Sequence, residues 1–230
     1  MIPKVIHYCW FGGKEKPADV LKMIASWRKL CPDYVIKEWN ESNFDINCNV
    51  YTREAYQMKK WAFVSDVARL HALITEGGVY LDTDVEMLRS FDELLTNKAF
   101  IGFEGTEYVG TSVIAAEAGN CFLSEFYNSY NNKFFINKDN TPNQVTNVDE
   151  ITLLFVEKYG LKRNGKKQVL GDFVIFPTDY FAPYDYITGR LKTTSNTCSI
   201  HWYEKSWIAH SKLRTWISQM WHRIVGLKMK

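Results

Sequence analysis

WAFVSDVARLHALITEGGVYLDTDV, Trp61–Val85, decides the fold. It reads as a helix over Trp61–Glu76, a turn at Gly77-Gly78, a buried strand Val79-Tyr80-Leu81 and then two aspartates. Glycine adopts the left-handed conformation cheaply, so Gly77-Gly78 predicts a sharp helix C-cap. Asp82 and Asp84 flank Thr83 where the apolar run ends. In an extended segment, residues two apart point to the same face. Two carboxylates on one face, at the carboxyl end of a buried strand, suit a hard divalent cation such as Mg²⁺ or Mn²⁺. That end of the strands is also where ligands bind in open α/β sheets. On the preceding helix, Asp66 and Arg69 lie three residues apart and share a face.

The flanks extend this strand-helix pattern. Lys4–Trp10, KVIHYCW, is a short apolar run stopped by Gly12-Gly13, a buried first strand. A helix begins at Pro17, with Val20, Leu21, Ile24 and Trp27 on one stripe, and ends near Cys31-Pro32. Tyr34–Trp39 is a second strand and Asn40–Phe44 a turn. A strand, a helix and a second strand are what a nucleotide-binding half needs. Further on, Ala99–Glu104 and Thr111–Ala115 read as strands, Phe91–Leu95 as a short helix, and Asn120–Ser129 as a helix. Val148–Tyr159 reads as a helix capped by Asn147 or Asp149, and Val169–Pro177 as one strand. The polar stretch 131–147 is a long loop, and a loop this long in a compact domain is either mobile or functional.

Composition narrows the function. A chain of 230 residues makes one domain most simply. The net charge of +2 gives no footprint for nucleic acid. Five cysteines without C-x-x-C spacing indicate neither a disulfide framework nor a zinc site, and reduced cytosolic thiols are the expectation. The N-terminus lacks the long apolar run of a signal peptide or membrane helix, so a cytoplasmic protein is expected. The tail Ser211–Lys230 carries Lys212, Arg214, Arg223, Lys228 and Lys230 with no acid, and its apolar residues recur at helical spacing. It is expected to be a basic amphipathic helix that touches the inner face of the plasma membrane, with packing on the domain and dimerisation as alternatives. The expected organisation is therefore 1–210 as one domain and 211–230 as this helix.

S-D-x-x-R over Ser65–Arg69, followed by G-G-V-Y-L-D-x-D over Gly77–Asp84, resembles the signature of retaining nucleotide-sugar glycosyltransferases with the GT-A fold. More narrowly it is similar to glycosyltransferase family 32, which includes small bacterial capsular-polysaccharide transferases, with the clostridial glucosylating toxins more distant. The N-terminal pattern I-P-K-x-I-H-Y-x-W-x-G-G extends the likeness. The resemblance implies one GT-A α/β domain with a mixed, mostly parallel central sheet. It implies transfer of a hexose from a UDP-sugar to a glycan acceptor, one that could be undecaprenyl-linked, with retention by front-side displacement.

Residue by residue, the resemblance implies that Trp10 stacks on uracil, with His7 and Tyr8 bordering the nucleotide pocket. A flat aromatic face suits a nucleobase. Asp66 and Arg69 would read the hydroxyls of the donor hexose, with Ser65 and Thr83 in the same pocket. Arginine offers a rigid fork of donors and aspartate accepts from paired hydroxyls. Asp84 and His201 would hold Mn²⁺ or Mg²⁺ against the diphosphate. Asp82 would hold the ribose or the metal's water shell, and is itself a candidate ligand. Ser206 and Trp207 would close over the donor. The chain departs from the pattern at Trp202, where many relatives have a second histidine, and at Glu204-Lys205, where small residues are common. GDP-mannose is the alternative donor. A non-catalytic glycan- or metal-binding module on the same fold is the alternative class. Glu104 and Glu107 lie in the region that would flank the donor sugar.

Overall fold

The computed structural model describes residues 1–143 and 145–203. The expectations for Ser206, Trp207 and the tail 211–230 lie outside the described residues. Among those described, the chain runs β1 (Val5–Cys9), α1 (Ala18–Leu30), β2 (Val35–Trp39), α2 (Val50–Gln57), α3 (Trp61–Glu76), β3 (Gly78–Leu81) and β4 (Val85–Met87). There follow β5 (Ala99–Glu104), β6 (Tyr108–Ala116), α4 (Cys121–Ser129), α5 (Asn147–Tyr159), β7 (Gln168–Leu170), β8 (Phe173–Phe176), β9 (Tyr184–Asp185), β10 (Arg190–Leu191) and β11 (Ser199–His201).

Seven strands form one mixed sheet in the order β2-β1-β3-β6-β5-β8-β7. The sheet is mixed as expected, but its parallel and antiparallel ladders are equal in number. β1–β2, β1–β3 and β5–β8 are parallel, while β3–β6, β5–β6 and β7–β8 are antiparallel. Alternation along β3 explains the layers. Tyr80 faces the core under α2 to α5, whereas Val79 and Leu81 face the core under α1. Phe63, Val64, Val67, Phe122 and Phe155 fill the first core, and Met23, Ile24, Trp27, Phe91 and Phe100 the second. The indole of Trp27 donates to the Val85 carbonyl at 2.8 Å, which ties α1 to β4.

Gly77 and Gly78 do what the sequence predicts. Gly77 caps α3 at φ 66°, with its N–H on the Leu73 carbonyl at 3.0 Å. Gly78, at φ 114°, opens β3, and a Cβ there would stand 2.6 Å from the Val5 carbonyl. Two glycines thus let α3 reverse directly into a strand pressed against β1.

Two local expectations are corrected. Val169–Pro177 is two strands, β7 and β8, because Gly171 at φ 58° turns the chain between them. The cap of α5 is Thr146, whose hydroxyl accepts from the Asp149 N–H at 3.2 Å, and Asn147 is already the first helical residue. Within the polar stretch after α4, residues 135 and 136 are anchored to α2. Phe135 is fully buried, and the backbone N–H groups of Phe135 and Ile136 both donate to Glu54 Oε2.

Candidate active site

The site is built at the carboxyl ends of β1, β3 and β5. Asp82 follows β3 directly, and its N–H bonds to the Ser112 carbonyl of β6 at 2.9 Å. The Asp82 carbonyl then accepts from the Val85 N–H at 3.1 Å, which bends the chain so that Asp84 turns back. β11 pairs antiparallel with β4 and sets His201 opposite Val85. The Trp202 N–H closes this ribbon on the Asp84 carbonyl at 3.1 Å. Main-chain pairing thus delivers His201 to the aspartates across more than a hundred residues of sequence.

Asp82, Asp84 and His201 converge, with one potential ligand atom from each within 4.8 Å of the others. His201 Nε2 lies 3.4 Å from Asp84 Oδ2. Burial works against a charge on this imidazole, yet the facing carboxylates, Asp84 foremost, raise its pKa to about 9. Two carboxylates and an imidazole on one side of a strand end are a donor set that fits a divalent cation. Trp202, the departure from the family pattern, is used differently. Its indole donates to Glu86 Oε2 at 2.9 Å.

Asp66 and Arg69 are buried, at 8% and 4% exposure, so they are no surface ion pair. Arg69 is the hub. Its Nη2 lies 3.1 Å from Asp66 Oδ1 and 3.2 Å from Asp82 Oδ1. It also donates to the Thr111 carbonyl at 3.0 Å, to the Ser65 carbonyl at 3.1 Å and to Ser65 Oγ at 3.1 Å. Its guanidinium carbon sits 4.6 Å from the centre of the Tyr80 ring, and the Tyr80 hydroxyl donates to Asp82 Oδ1 at 2.8 Å. One guanidinium therefore couples the helix carboxylate to the strand-end carboxylate. Burial raises the Asp66 carboxyl to about 7, with Arg69 opposing and Asp82 adding to the rise.

The structure adds a residue that was not singled out for the site. Asn147, on the first turn of α5, donates from Nδ2 to Asp66 Oδ1 at 2.6 Å and accepts from the Thr111 hydroxyl at 3.1 Å. It is buried and fixes Asp66 from the side opposite α3. Glu104 also belongs here. Its carboxylate lies 3.9 Å from His201 Nδ1, and burial pushes its pKa up. Glu107, in contrast, is exposed on the turn between β5 and β6.

Of the nucleotide-pocket candidates, Trp10 is half-buried at the end of β1, with its indole N–H on the Lys14 carbonyl at 2.6 Å. The Tyr8 hydroxyl donates to Glu38 Oε2 at 2.6 Å, and Lys16 pairs with the same oxygen at 2.6 Å. Thr83 is half-buried between the aspartates. His7 is corrected. It is fully buried, Nε2 meets the Gly77 carbonyl at 2.7 Å, and Nδ1 accepts from the Trp39 indole at 3.0 Å. Both nitrogens are engaged, so His7 has no polar atom for a donor and instead joins β1, β2 and the α3 cap. No helix among the described residues is long and apolar enough to cross a membrane.

Comparison with known proteins places these residues in a family context. Residues 17–101 match the family described as a glycosyltransferase sugar-binding region containing a DXD motif, a span that includes Asp66, Arg69, Asp82 and Asp84. A protein of Acanthamoeba polyphaga mimivirus, described as uncharacterized glycosyltransferase L373, is 24% identical over 93% of this chain and 86% of its own length. Inositol phosphoceramide mannosyltransferase 3 of Schizosaccharomyces pombe is 28% identical over 53% of this chain, which spans 35% of that longer protein. In structure, the chain is similar to the PaToxG glycosyltransferase, with a TM-score of 0.52, 19% identity, and coverage of 68% of this chain and 70% of the other. Residues 17–101 thus carry a glycosyltransferase sugar-binding region of the DXD type, and the chain has the fold of a GT-A glycosyltransferase.

Proposed function

We propose that the chain transfers a hexose from a UDP-sugar to a glycan acceptor, with a bound divalent cation and with retention at the anomeric carbon. The observation that carries this reading is the convergence of Asp82, Asp84 and His201 on one point beside the Asp66–Arg69 pair. Mn²⁺ or Mg²⁺ held there supplies a Lewis acid that neutralises charge developing on the departing diphosphate. Asp84 and His201 hold it, and Asp82 holds it or the ribose. Trp10 offers the ring on which the base stacks. Arg69 and Asp66 receive the hexose hydroxyls, with Asn147 and Ser65 fixing their rotamers. Asp66 already carries two strong partners, which suits a fixed hydrogen-bond acceptor better than an attacking nucleophile. Retention then follows from front-side displacement, in which a leaving phosphate oxygen receives the proton of the acceptor hydroxyl.

A second donor has a specific observation in its favour. The relative from Schizosaccharomyces pombe is a mannosyltransferase by name, and it matches over the half of the chain that its alignment covers. That makes GDP-mannose the alternative donor, since an aromatic ring stacks on either base. The same name supports a lipid-borne acceptor, of which an undecaprenyl-linked glycan at the inner face of the membrane is one form.

The test is a hydrolysis screen. UDP-glucose, UDP-galactose, their N-acetyl forms and GDP-mannose are each incubated with the protein and Mn²⁺, and free nucleotide is measured. Release from one UDP-sugar, with the anomeric configuration of the first-formed sugar retained by NMR, is expected. Release from GDP-mannose alone overturns the UDP assignment. Inversion, or a trapped glycosyl-enzyme adduct, overturns front-side displacement.

A further inference from the structure

His201 stands between two carboxylates, and only one of them belongs to the D-x-D motif. Its Nε2 faces Asp84 at 3.4 Å, and its Nδ1 faces Glu104 Oε1 at 3.9 Å. Nδ1 is fully shielded and has no hydrogen-bond partner among the described residues. Buried polar atoms are seldom left in that state.

The Glu104 side chain is placed by its surroundings. It ends β5, opposite Tyr108 of β6, and only a fifth of it is exposed. Gly110 leaves it room, since a Cβ at that position would stand 3.1 Å from Glu104 Oε2 and 3.2 Å from its Cβ. The Tyr203 hydroxyl hydrogen-bonds the Glu104 carboxylate, and the Tyr203 ring lies 3.9 Å from the His201 ring, centre to centre. Tyr203 holds φ at 53°, a conformation that L side chains rarely adopt. A glycine, a left-handed tyrosine and a strand end thus aim one carboxylate at the back of the histidine.

An imidazole that ligates a cation through Nε2 carries its remaining proton on Nδ1, and an acceptor for that proton fixes both tautomer and ring orientation. We propose that Glu104 is this acceptor, a positioning residue that takes the Nδ1–H of His201 and so presents Nε2 to the divalent cation beside Asp82 and Asp84. The inference rests on the metal reading of the site given above. Closing 3.9 Å to a hydrogen bond takes about 1 Å of side-chain movement. His201 Nε2 faces Asp84 Oδ2 at 3.4 Å, the side on which the cation would be held, and Nδ1 faces Glu104 on the other.

The test is the affinity of the metal-free protein for Mn²⁺, read by electron paramagnetic resonance without any donor sugar. Asp84→Asn is expected to lose binding. Glu104→Ala is expected to weaken it by about 10–100-fold. Glu104→Gln, whose amide oxygen accepts the same proton, is expected to recover most of that loss. Unchanged affinity in Glu104→Ala overturns the proposal while Asp84→Asn still upholds the metal site. Equal losses in Glu104→Ala and Glu104→Gln also overturn it, since they indicate a role of charge alone. Unchanged affinity in Asp84→Asn removes the metal reading and this inference with it. Should Glu104→Ala not fold, Gly110→Ala serves. Its added methyl displaces the carboxylate, so weaker Mn²⁺ binding at an unchanged melting temperature is expected and unchanged affinity contradicts the proposal.

Discussion

Arg69→Met removes the cation that, among the described residues, faces both Asp66 and Asp82. The lost guanidinium makes contacts at 3.1 Å and 3.2 Å to the two carboxylates, and three further hydrogen bonds to Thr111 and Ser65. Methionine keeps most of the volume, so the cost is electrostatic rather than a cavity. Breaking a buried pair from one side costs about 3–5 kcal/mol, because the partner charge stays buried. For a chain of this length that is a fall in melting temperature of roughly 6–20 °C. The pH dependence identifies the cause. The Asp66 carboxyl sits at about 7 in the folded protein, against an ordinary value of 3.8. A folded value above the unfolded one makes its contribution most favourable below the ordinary value, and that contribution is lost as pH rises through the folded one. Without Arg69 the folded value rises further. The deficit of Arg69→Met relative to wild type should therefore be largest near pH 8, small near pH 5, and partly relieved by Asp66→Asn in the same chain. Melting curves of the metal-free protein at both pH values decide it. Equal deficits at pH 5 and pH 8, or a wild-type melting temperature at pH 8, refute the claim that Arg69 compensates these acids.

Trp10→Ala should weaken UDP binding by about 1–3 kcal/mol while leaving the melting temperature nearly unchanged, because the ring is only half-buried; calorimetric titration with UDP checks both the loss and its absence. His7→Ala should do the reverse. It leaves the Trp39 indole and the Gly77 carbonyl without partners, at about 1–3 kcal/mol each, and the folded fraction should keep the wild-type donor KM. Mn²⁺ must displace a proton from His201 below its raised pKa of about 9, so affinity should climb with pH up to that point and then level. A flat profile between pH 6 and pH 8 contradicts His201 as a ligand.

The stretch Trp61–Val85 was legible because each signal in it is local. A helical run, two glycines, a short apolar strand and an i,i+2 pair of acids all lie within 25 residues. The ends of α3 fall where the sequence predicts them, at Trp61 and Glu76. Asn147 was not legible as a site residue, because its contact with Asp66 bridges 81 positions and depends on how α5 packs. Its place at a helix start suggested a cap instead, a role that Thr146 takes. His7 misled for a related reason. A histidine beside Trp10 looks available from sequence, while its burial depends on Trp39 and Gly77 arriving from β2 and α3. Glu104 was visible as an acid at a strand end, but its role needs β11 to bring His201 and Tyr203 across from the far end of the described chain.

The central claim is that Asp84 helps hold a divalent cation against a nucleotide sugar. Its most direct measurement is UDP release from the preferred UDP-sugar, with Mn²⁺ and with chelator, by wild type and Asp84→Ala. The wild type should release UDP only with the metal, and Asp84→Ala should retain its fold but lose that release. Metal-dependent release by Asp84→Ala at the wild-type rate would contradict the account.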